Sequence, residues 1–390
     1  MQTSVMHILV VTNLYPPQEL GGYGRAMADF VWGLQQRGHQ LQVVCSDASY
    51  LGPGSVGPSG EPVDRRLQLK GSFAAGVQHL QDPAARQAVD QANAALLRHW
   101  LQSAAWDGVL LGNLDLLGPE LLPVMLEPEI PVLHHVGFVA PPYAPEQFPR
   151  AVHYRLVAAS RAVRSSLLAA GLPVAEAPVV YPGARVELFG PQATGRPLPP
   201  LPDGSSGRPL RVCFAGLMMS SKGPHTLLEA LALLRQRGVV VEAMLAGGRF
   251  QADYVARMEQ FLQDTGLKPQ VCFLGPLQRP QLARFFALQH VCVFPSLYPE
   301  AFGIVAAEAM ASGLALVSSG VGGAAELFET GVSGLLFQAG DAADLAQQLQ
   351  TLVEQPSLLK TLQCQGERRV REHFSVQRAV AQLEALWMGS

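Results

Sequence analysis

Short apolar runs alternate along the chain with longer stretches whose apolar residues recur every three or four positions. HILVVT at 7–12 and QLQVVCSD at 40–47 predict two strands, and residues 24–38 between them predict a helix that ends at Gly38. Strands that alternate with helices in this way are typical of βα units, in which successive strands lie parallel in one sheet. The pattern therefore predicts an α/β fold.

The alternation continues through the first half of the chain and restarts in the second half. In the first half it predicts further strands at 108–113, 131–136 and 178–183, a helix at 84–104, and a strand followed by a helix within 155–171, with Ser160 as the N-cap residue. In the second half it predicts strands at 210–217, 239–248, 270–275, 291–296 and 315–319, helices at 222–237, 252–265, 279–289 and 303–312, and a mostly helical segment at 341–388. Each half thus predicts a parallel sheet of its own.

A segment rich in Pro, Gly and Ser separates the two halves. Residues 191–209 are poorly suited to a helix or a central strand, so we interpret them as a linker. The sequence then predicts a Rossmann-like N-terminal domain at 1–190 and a Rossmann-like C-terminal domain at 210–372, with residues 373–390 as a helix that crosses back to the first domain. We expect two such domains to face each other across a cleft lined by the carboxyl ends of their strands.

Length and charge narrow the function classes. The chain has 390 residues, with 28 Lys and Arg against 31 Asp and Glu and a net charge of −3. This length suits two domains. A near-neutral chain lacks the positive charge that draws proteins to nucleic acid, so we expect no nucleic-acid partner. The 48% of hydrophobic residues excludes an intrinsically disordered chain.

The cysteines and the N-terminal segment bear on the compartment. The five cysteines are widely spaced and form no CxxC pair, as expected for buried thiols in a reducing compartment. The first apolar run has no basic region ahead of it, so we interpret it as a strand and not as a signal peptide. No stretch of about 20 residues is continuously apolar. We therefore expect a cytoplasmic protein.

The segment PSLYPEAFGIVAAEAMASG at 295–313 carries the clearest chemical signal. Glu300 follows a predicted buried strand, and Glu308 lies on the next predicted helix, at most about 12 Å further along its axis. Free backbone N–H groups at a helix start favour a phosphate. A nucleotide-sugar, with hydroxyls at both ends and phosphates between them, matches this arrangement. The alternative for Glu308 is an exposed position on an amphipathic helix, but its apolar neighbours favour a buried carboxylate that needs a partner.

The same segment resembles a known family. EAFGIVAAE, followed by AMASGLALVSSGVGGAAELFETGVSGLLF, is similar to the signature of retaining glycosyltransferases of the GT-B fold, family 4, also called glycosyl transferases group 1. The resemblance extends to LYPPQELGGYGRAMADFVWGLQQRGHQLQVV in the first half, and to FAGLMMSSKGPHTLLEAL and FLGPLQRPQLARFFALQHVCVFPS in the second. It implies two Rossmann-like domains across a cleft, with the acceptor on the N-terminal domain and a nucleotide-sugar donor on the C-terminal domain.

The resemblance also implies roles for individual residues. Glu300 would contact hydroxyls of the donor sugar, and Glu308 would hold the ribose hydroxyls. Lys222, between a predicted strand and a predicted helix, would be the phosphate lysine; its alternative is an ordinary exposed lysine. The remaining donor-binding residues would be the backbone N–H groups of Phe302, Gly303 and Ile304, the loop residues Gly216 and Leu277, and the glycine pair Gly21 and Gly22 of the N-terminal loop.

Two positions depart from the family pattern. Members usually carry an arginine after the glycine that corresponds to Gly216, but Leu217 stands here, so Arg249 is a candidate for the second phosphate cation. Members often carry a histidine near the donor sugar at a position that falls on or near Gly137. His135 is the candidate catalytic histidine here, although strand alternation places His134 and His135 on opposite faces and a core position fits each of them as well.

The resemblance implies a metal-independent hexosyltransferase that uses a UDP-, GDP- or ADP-sugar, without other cofactor, and retains the anomeric configuration. The acceptor would be a hydroxyl of a glycan, a glycolipid or a small molecule, as in polysaccharide biosynthesis. A non-catalytic nucleotide-sugar-binding protein and a nucleotide-sugar epimerase remain alternatives. No metal-ligand spacing is present, and no pattern predicts an oligomeric state. Arg150, Arg155, Arg161 and Arg164 form either a solvated helix face or a patch that contacts the inner membrane face peripherally.

Overall fold

A computed structural model of the chain describes residues 5–54, 56–74, 76–191, 195 and 199–389. Its strands are β1 His7–Val11, β2 Gln40–Ser46, β3 Val63–Leu67, β4 Gly71–Ser72, β5 Gln78–His79, β6 Gly108–Leu111, β7 Val132–Val136, β8 Tyr154–Ala158, β9 Leu210–Ala215, β10 Val241–Ala246, β11 Val271–Gly275, β12 Val291–Phe294, β13 Ala315–Ser318 and β14 Leu335–Leu336. Its α-helices are α1 Tyr23–Gln36, α2 Pro83–Ser103, α3 Leu122–Met125, α4 Arg161–Ala169, α5 Val186–Phe189, α6 Pro224–Gln236, α7 Ala252–Asp264, α8 Arg279–Phe286, α9 Ile304–Ala311, α10 Ala342–Glu354, α11 Pro356–His373 and α12 Val376–Met388.

The chain divides into two compact units. Unit 1 comprises Met1–Pro182 and Val376–Ser390, and unit 2 comprises Gly183–Ser375. Residues 183–190, which the sequence analysis assigned to the first domain, belong to unit 2, where the Ala184 N–H donates a hydrogen bond to the Phe374 carbonyl at 2.7 Å. Within the predicted linker, residues 192–194 and 196–198 lie outside the described residues.

Each unit contains a six-stranded parallel sheet. The strand order is β3-β2-β1-β6-β7-β8 in unit 1 and β11-β10-β9-β12-β13-β14 in unit 2. Numbered within each unit, both sheets have the order 3-2-1-4-5-6 of a Rossmann-type domain. The first strand pairs with its neighbours on both sides in parallel, as in Ile8 with Leu41 and with Gly108. The predicted α/β fold with two Rossmann-like domains is confirmed.

Some predicted elements differ from the structure. The prediction of a strand at 178–183 is wrong, because only an isolated bridge between Val179 and Ala158 forms there. Strand β3 was not predicted, since its sequence VDRRL has the polar composition of a loop. The N-cap prediction at Ser160 is confirmed: its hydroxyl accepts a hydrogen bond from the Val163 N–H at 3.0 Å.

The last helix of the chain, α12, packs on α1 within unit 1. Val376, Val380 and Leu383 of α12 are buried in the same core cluster as Phe30 and Leu34 of α1. Gly33 makes this close approach feasible, because a Cβ at this position would lie 2.8 Å from Val380 Cγ1. Burial of these side chains therefore attaches the C-terminal helix to the first sheet.

A buried polar cluster joins α12 to the segment between α1 and β2. The Met6 N–H donates to His39 Nδ1 at 3.0 Å, and the His39 Nε2–H donates to Glu384 Oε1 at 2.5 Å. Arg37 Nε donates to Glu384 Oε2 at 2.6 Å. Burial raises the pKa of Glu384, but the hydrogen bonds from Arg37 and His39 outweigh it and hold the pKa below its ordinary value of 4.5.

We expect Glu384→Gln to lower the free energy of unfolding of unit 1 by about 1–3 kcal/mol at pH 7, because an amide does not satisfy both the buried His39 donor and the partly exposed Arg37 donor as a carboxylate does. The folded pKa of Glu384 is lowered, so its contribution is present above pH 4.5 and is lost as the pH falls through the folded value. The variant should therefore show a shallower loss of stability below pH 4.5 than the unmodified chain.

Tryptophan fluorescence suits this measurement, because Trp32, Trp100, Trp106 and Trp387 are the four tryptophans of the chain and all lie in unit 1. The matched control is Glu127→Gln, which removes a carboxylate that is 46% exposed and paired with Arg98. The control should change the stability by less than about 1 kcal/mol. Equal losses in the two variants would contradict the assignment.

Candidate active site

The order of strands in unit 2 brings two distant loops together. The chain passes from β9 to β10 and β11 on one side and then returns to β12 on the other side of β9. In such sheets, ligands bind at the carboxyl ends of the strands where the direction of winding reverses. Lys222 lies in the loop after β9, and Glu300 lies in the loop after β12. Both predicted site residues are therefore at this reversal point.

The two loops are in direct contact. The Leu297 N–H donates a hydrogen bond to the Ser221 carbonyl at 2.8 Å. Gly223, which precedes α6, has a φ of +67°, and a Cβ there would lie 2.1 Å from the Pro295 carbonyl oxygen. Glycine therefore suits this position for two reasons: it adopts the left-handed backbone conformation readily, and it has no Cβ to clash with the Pro295 carbonyl. The short turn Ser220–Lys222 is held beside the loop of Glu300 as a result.

Lys222 and Glu300 form an ion pair. Lys222 Nζ donates to Glu300 Oε1 at 2.6 Å, and Ser296 Oγ donates to the same oxygen at 2.5 Å. The lysine side chain is 33% exposed and the glutamate side chain 13% exposed. Glu300 Oε2 has no hydrogen-bond partner among the residues that the structure describes. One carboxylate oxygen is thus held by the protein, and the other can accept a hydrogen bond from a ligand.

The backbone of Glu300 is fixed by the loop after β13. Its N–H donates to the Val321 carbonyl at 3.2 Å, and its carbonyl accepts from the Gly323 N–H at 2.7 Å. Gly322 between them has a φ of +69°, and a Cβ there would lie 2.5 Å from the Glu300 carbonyl oxygen. These contacts restrict the position from which the Glu300 side chain projects.

Glu308 lies fully buried on α9, and its carboxylate is paired. Arg279 Nη2, at the first residue of α8, donates to Glu308 Oε1 at 2.9 Å. The Arg279 guanidinium also lies 5.4 Å from the centre of the Phe189 ring, within the range of a cation–π contact. The sequence analysis expected a partner for Glu308 but did not identify Arg279, which lies 29 residues away along the chain.

Helix α9 begins next to these carboxylates. Gly303 is its N-cap residue with a φ of +103°, and the N–H groups of Gly303 and Ile304 have no acceptor within the described part of the chain. Phe302 is buried, and its ring centre lies 5.6 Å from that of Phe374. The helix start therefore offers two backbone donors, whereas the buried Phe302 side chain packs against Phe374.

The structure places the other predicted donor residues of unit 2 as follows. Gly216 follows β9 and donates through its N–H to the Ala246 carbonyl at 2.9 Å. Leu277 is half-buried in the loop before α8. Arg249, the candidate second phosphate cation, pairs with Glu259 Oε1 of α7 at 2.5 Å, which raises the pKa of Arg249. Arg249 is therefore engaged on the surface and is not joined to Lys222 or Glu300.

The predicted site residues of unit 1 lie at the carboxyl ends of its own strands. Gly21, with a φ of +73°, and Gly22, the N-cap residue, precede α1. His135 is fully buried on β7, and its Nε2 donates to the Val180 carbonyl at 2.9 Å. Burial lowers the pKa of His135 to about 4 and that of His134 to about 3, so both rings are neutral at pH 7.

Strand alternation separates the two histidines as expected. His134 Nδ1 lies 2.7 Å from the Tyr154 hydroxyl, whereas the His135 ring packs edge-on against Phe30 with a centroid distance of 5.0 Å. Gly137, where the resemblance places a histidine, has its side-chain space filled: a Cβ there would lie 2.0 Å from Tyr23 Cε2. The Tyr23 ring therefore occupies the end of β7.

Two further properties of the described residues concern metal ions and membranes. No group of three or more His, Cys, Asp and Glu side chains within them is placed to hold a metal ion. No helix within them has the length and apolar composition that a membrane span requires.

We expect Arg279→Met to destabilise unit 2 by about 3–5 kcal/mol, because it leaves the buried Glu308 carboxylate without its cation. The double variant Arg279→Met with Glu308→Leu should recover most of this loss, since an apolar pair removes the buried carboxylate together with its partly exposed cation. Far-UV circular dichroism follows the unfolding of both units and tryptophan fluorescence that of unit 1 alone, so a transition seen only by circular dichroism reports unit 2.

Arg284→Met is the matched control, because Arg284 is exposed on the same helix α8. It should change the stability by less than about 0.5 kcal/mol. The ion pair would be structurally unimportant if the Arg279 variant lost no more stability than this control.

Comparisons with known proteins agree with the fold. Residues 203–369 match the family model described as Glycosyl transferases group 1. The D-inositol 3-phosphate glycosyltransferase of Corynebacterium kroppenstedtii is 36% identical over 187 residues, which cover 45% of this chain and 40% of that protein. The enzyme of the same name from Pseudarthrobacter chlorophenolicus is 35% identical over 145 residues, 37% of this chain and 34% of that protein. The chain thus spans less than half the length of these two relatives.

Solved structures align with nearly the whole chain. A glycosyltransferase from Rickettsia africae has a TM-score of 0.79 at 17% identity, with 99% of each chain covered. HepE of Anabaena in complex with UDP-glucose has a TM-score of 0.73 at 20% identity, with 99% of this chain and 100% of that chain covered. Sucrose-phosphate synthase from Thermosynechococcus elongatus has a TM-score of 0.77 at 21% identity, with 98% of each covered. The chain therefore has the GT-B fold, and its residues 203–369 resemble the glycosyl transferases group 1.

Proposed function

We propose that this chain is a retaining glycosyltransferase that moves a hexose-like sugar from a nucleoside diphosphate sugar to a hydroxyl acceptor. The observation that carries the proposal is the Lys222–Glu300 ion pair at the reversal point between β9 and β12. A cation for a phosphate and a carboxylate for hydroxyls are the two groups that a sugar nucleotide requires at such a point.

Each part of the donor has a matching group in unit 2. Lys222 and the N–H groups of Gly303 and Ile304 bind the diphosphate, because both supply positive charge or donors to an anion. Glu300 Oε2 accepts hydrogen bonds from sugar hydroxyls, and Glu308 accepts them from the ribose. The structures of HepE with UDP and with UDP-glucose support a nucleotide-sugar donor for this fold.

The proposed chemical step breaks the bond between the anomeric carbon and the diphosphate oxygen. The acceptor oxygen bonds to that carbon on the same face, and the acceptor proton passes to the departing phosphate oxygen. Glu300 and Glu308 are held in ion pairs at 2.6 and 2.9 Å, so neither is placed as a free nucleophile. Lys222 stabilises the negative charge that develops on the leaving group. Since Leu217 replaces the usual arginine, Lys222 supplies most of this stabilisation.

The remaining parts of the proposal concern the acceptor and the setting. We assign the acceptor to unit 1, with Gly21, Gly22 and the His135 region at the carboxyl edge of its sheet. The reaction is proposed to need no metal ion and to take place in the cytoplasm. The free thiols of all five cysteines support a reducing compartment. A lipid-linked acceptor would bring the basic residues 150–164 to a membrane surface peripherally.

A donor panel tests the reaction. The purified chain is incubated with UDP-, GDP- and ADP-sugars and with acceptors that include inositol, inositol 3-phosphate and simple glycosides, in the presence of a metal chelator. We expect one donor to yield a glycoside whose anomeric configuration, read by nuclear magnetic resonance, equals that of the donor. An inverted product would refute retention. Donor binding without turnover would instead identify a binding protein, and an isomerised sugar nucleotide without acceptor would identify an epimerase.

Lys222→Ala should lower kcat by about 100- to 1,000-fold, because the leaving group loses its main positive partner. Lys268→Ala is the control, since this exposed lysine precedes β11 at the opposite edge of the same sheet. The control should keep full turnover of the donor identified by the panel. Turnover by Lys222→Ala equal to that of the control would remove Lys222 from the mechanism.

A further inference from the structure

We infer that Lys222 exchanges partners when the donor binds, and that this exchange makes the site select sugar nucleotides over free nucleoside diphosphates. The inference rests on the proposed function, since it assigns the diphosphate to Lys222. Its basis is that the ammonium proposed for the phosphate lies 2.6 Å from Glu300 Oε1 in the protein alone. A diphosphate must therefore compete with a carboxylate for the same cation.

The competition follows from charge and distance. A phosphate oxygen and Glu300 Oε1 bound to the same ammonium would lie within about 5 Å of each other, where like charges repel. The pair is only partly exposed, with the Glu300 side chain 13% exposed, so solvent screens this repulsion incompletely. A diphosphate alone thus either displaces Lys222 from Glu300 or binds beside an uncompensated carboxylate. Both outcomes weaken its binding.

A sugar on the diphosphate removes this cost. Its hydroxyls donate hydrogen bonds to the Glu300 carboxylate, which therefore regains donors when Lys222 turns to the phosphate. The same carboxylate consequently opposes the product nucleoside diphosphate and favours the donor. After transfer the sugar is gone, Glu300 again attracts Lys222, and release of the product is promoted.

Ser296 is the positioning residue for this exchange. It is 1% exposed, and its hydroxyl donates to the same oxygen, Oε1, at 2.5 Å. Its carbonyl accepts from Ser319 Oγ at 2.7 Å, which fixes the loop. Because this hydrogen bond does not involve Lys222, it persists when the lysine leaves. Ser296 therefore stabilises the separated carboxylate and lowers the cost of the exchange.

Two variants should change product affinity in opposite directions. Glu300→Gln removes the competing charge and should bind the nucleoside diphosphate about three- to tenfold more tightly, while its preference for the sugar nucleotide is lost. Ser296→Ala removes one hydrogen bond to Glu300 Oε1, so the carboxylate holds Lys222 more tightly. This variant should bind the nucleoside diphosphate about threefold more weakly. Simple damage to the loop would weaken binding in both variants.

Isothermal titration calorimetry on the full chain measures these affinities. The probes are UDP, GDP, ADP, the corresponding glucose or mannose nucleotides, and inorganic pyrophosphate, which reports on Lys222 without a base. Far-UV circular dichroism confirms that each variant is folded. The double variant Lys222→Ala with Glu300→Gln should lose the tighter binding of the nucleoside diphosphate that Glu300→Gln alone shows. Unchanged or weaker diphosphate binding by Glu300→Gln overturns the inference while the proposed function stands. If the unmodified chain binds none of these nucleotides, both the inference and the proposed function are overturned.

Discussion

The pairing of β9 with β12 is the constraint on which the site of unit 2 depends. These strands lie far apart in sequence but are neighbours in the sheet, with Cys292 in register with Cys213. Their loops therefore leave the same edge side by side, and Gly223 lets them approach without a side chain between them. The ion pair between Lys222 and Glu300 exists only because of this arrangement. The proposed phosphate and sugar contacts are built around it.

The proposed ribose contact of the buried Glu308 explains its pairing with the partly exposed Arg279 better than stability does. Removing two charges from water costs several kcal/mol per ion, and an apolar pair of similar volume usually stabilises a fold at least as well. Helix α9 is otherwise made of apolar residues, IVAAEAMA, which pack without needing a charge. A carboxylate in such a helix lowers the stability of the fold unless it binds a partner or a ligand. The Arg279 guanidinium, held against Phe189, keeps that carboxylate in one orientation.

The sequence predicts what local patterns determine, and little beyond it. Apolar periodicity was sufficient for most strands and helices and for the two-unit fold. It failed at the edge strand β3, because VDRRL lies at a sheet edge where charged side chains reach solvent. It also failed at 178–183, where an apolar run forms one bridge only.

The candidate site shows the same limit. The spacing of Glu300 and Glu308 is readable within one segment of the chain. Their partners Lys222 and Arg279 come from other elements, 78 and 29 residues away, so only the tertiary structure pairs them. Arg249 is a similar case: its position after a glycine turn favours a phosphate role, which stays a prediction, and the structure pairs it with the exposed Glu259 on α7. The spacing of residues along the chain does not determine which of several nearby partners a side chain contacts.

The two units share one strand order but differ in charge at the corresponding point. In unit 1, the Asn13 N–H donates to the Asn113 carbonyl at 3.2 Å, and the Asn13 amide donates to the Asp115 carbonyl at 3.2 Å. These two contacts are neutral, and the ion pair near the start of α1 joins Glu19 to Arg25 at 2.7 Å, whereas the ion pair of unit 2 joins the loop after β9 to the loop after β12. His134 and His135 add no positive charge at pH 7, since burial lowers their pKa values to about 3 and 4. The proposed cation for the diphosphate, Lys222, therefore lies in unit 2, and the proposed roles of the two units rest on such local contacts and not on the shared topology.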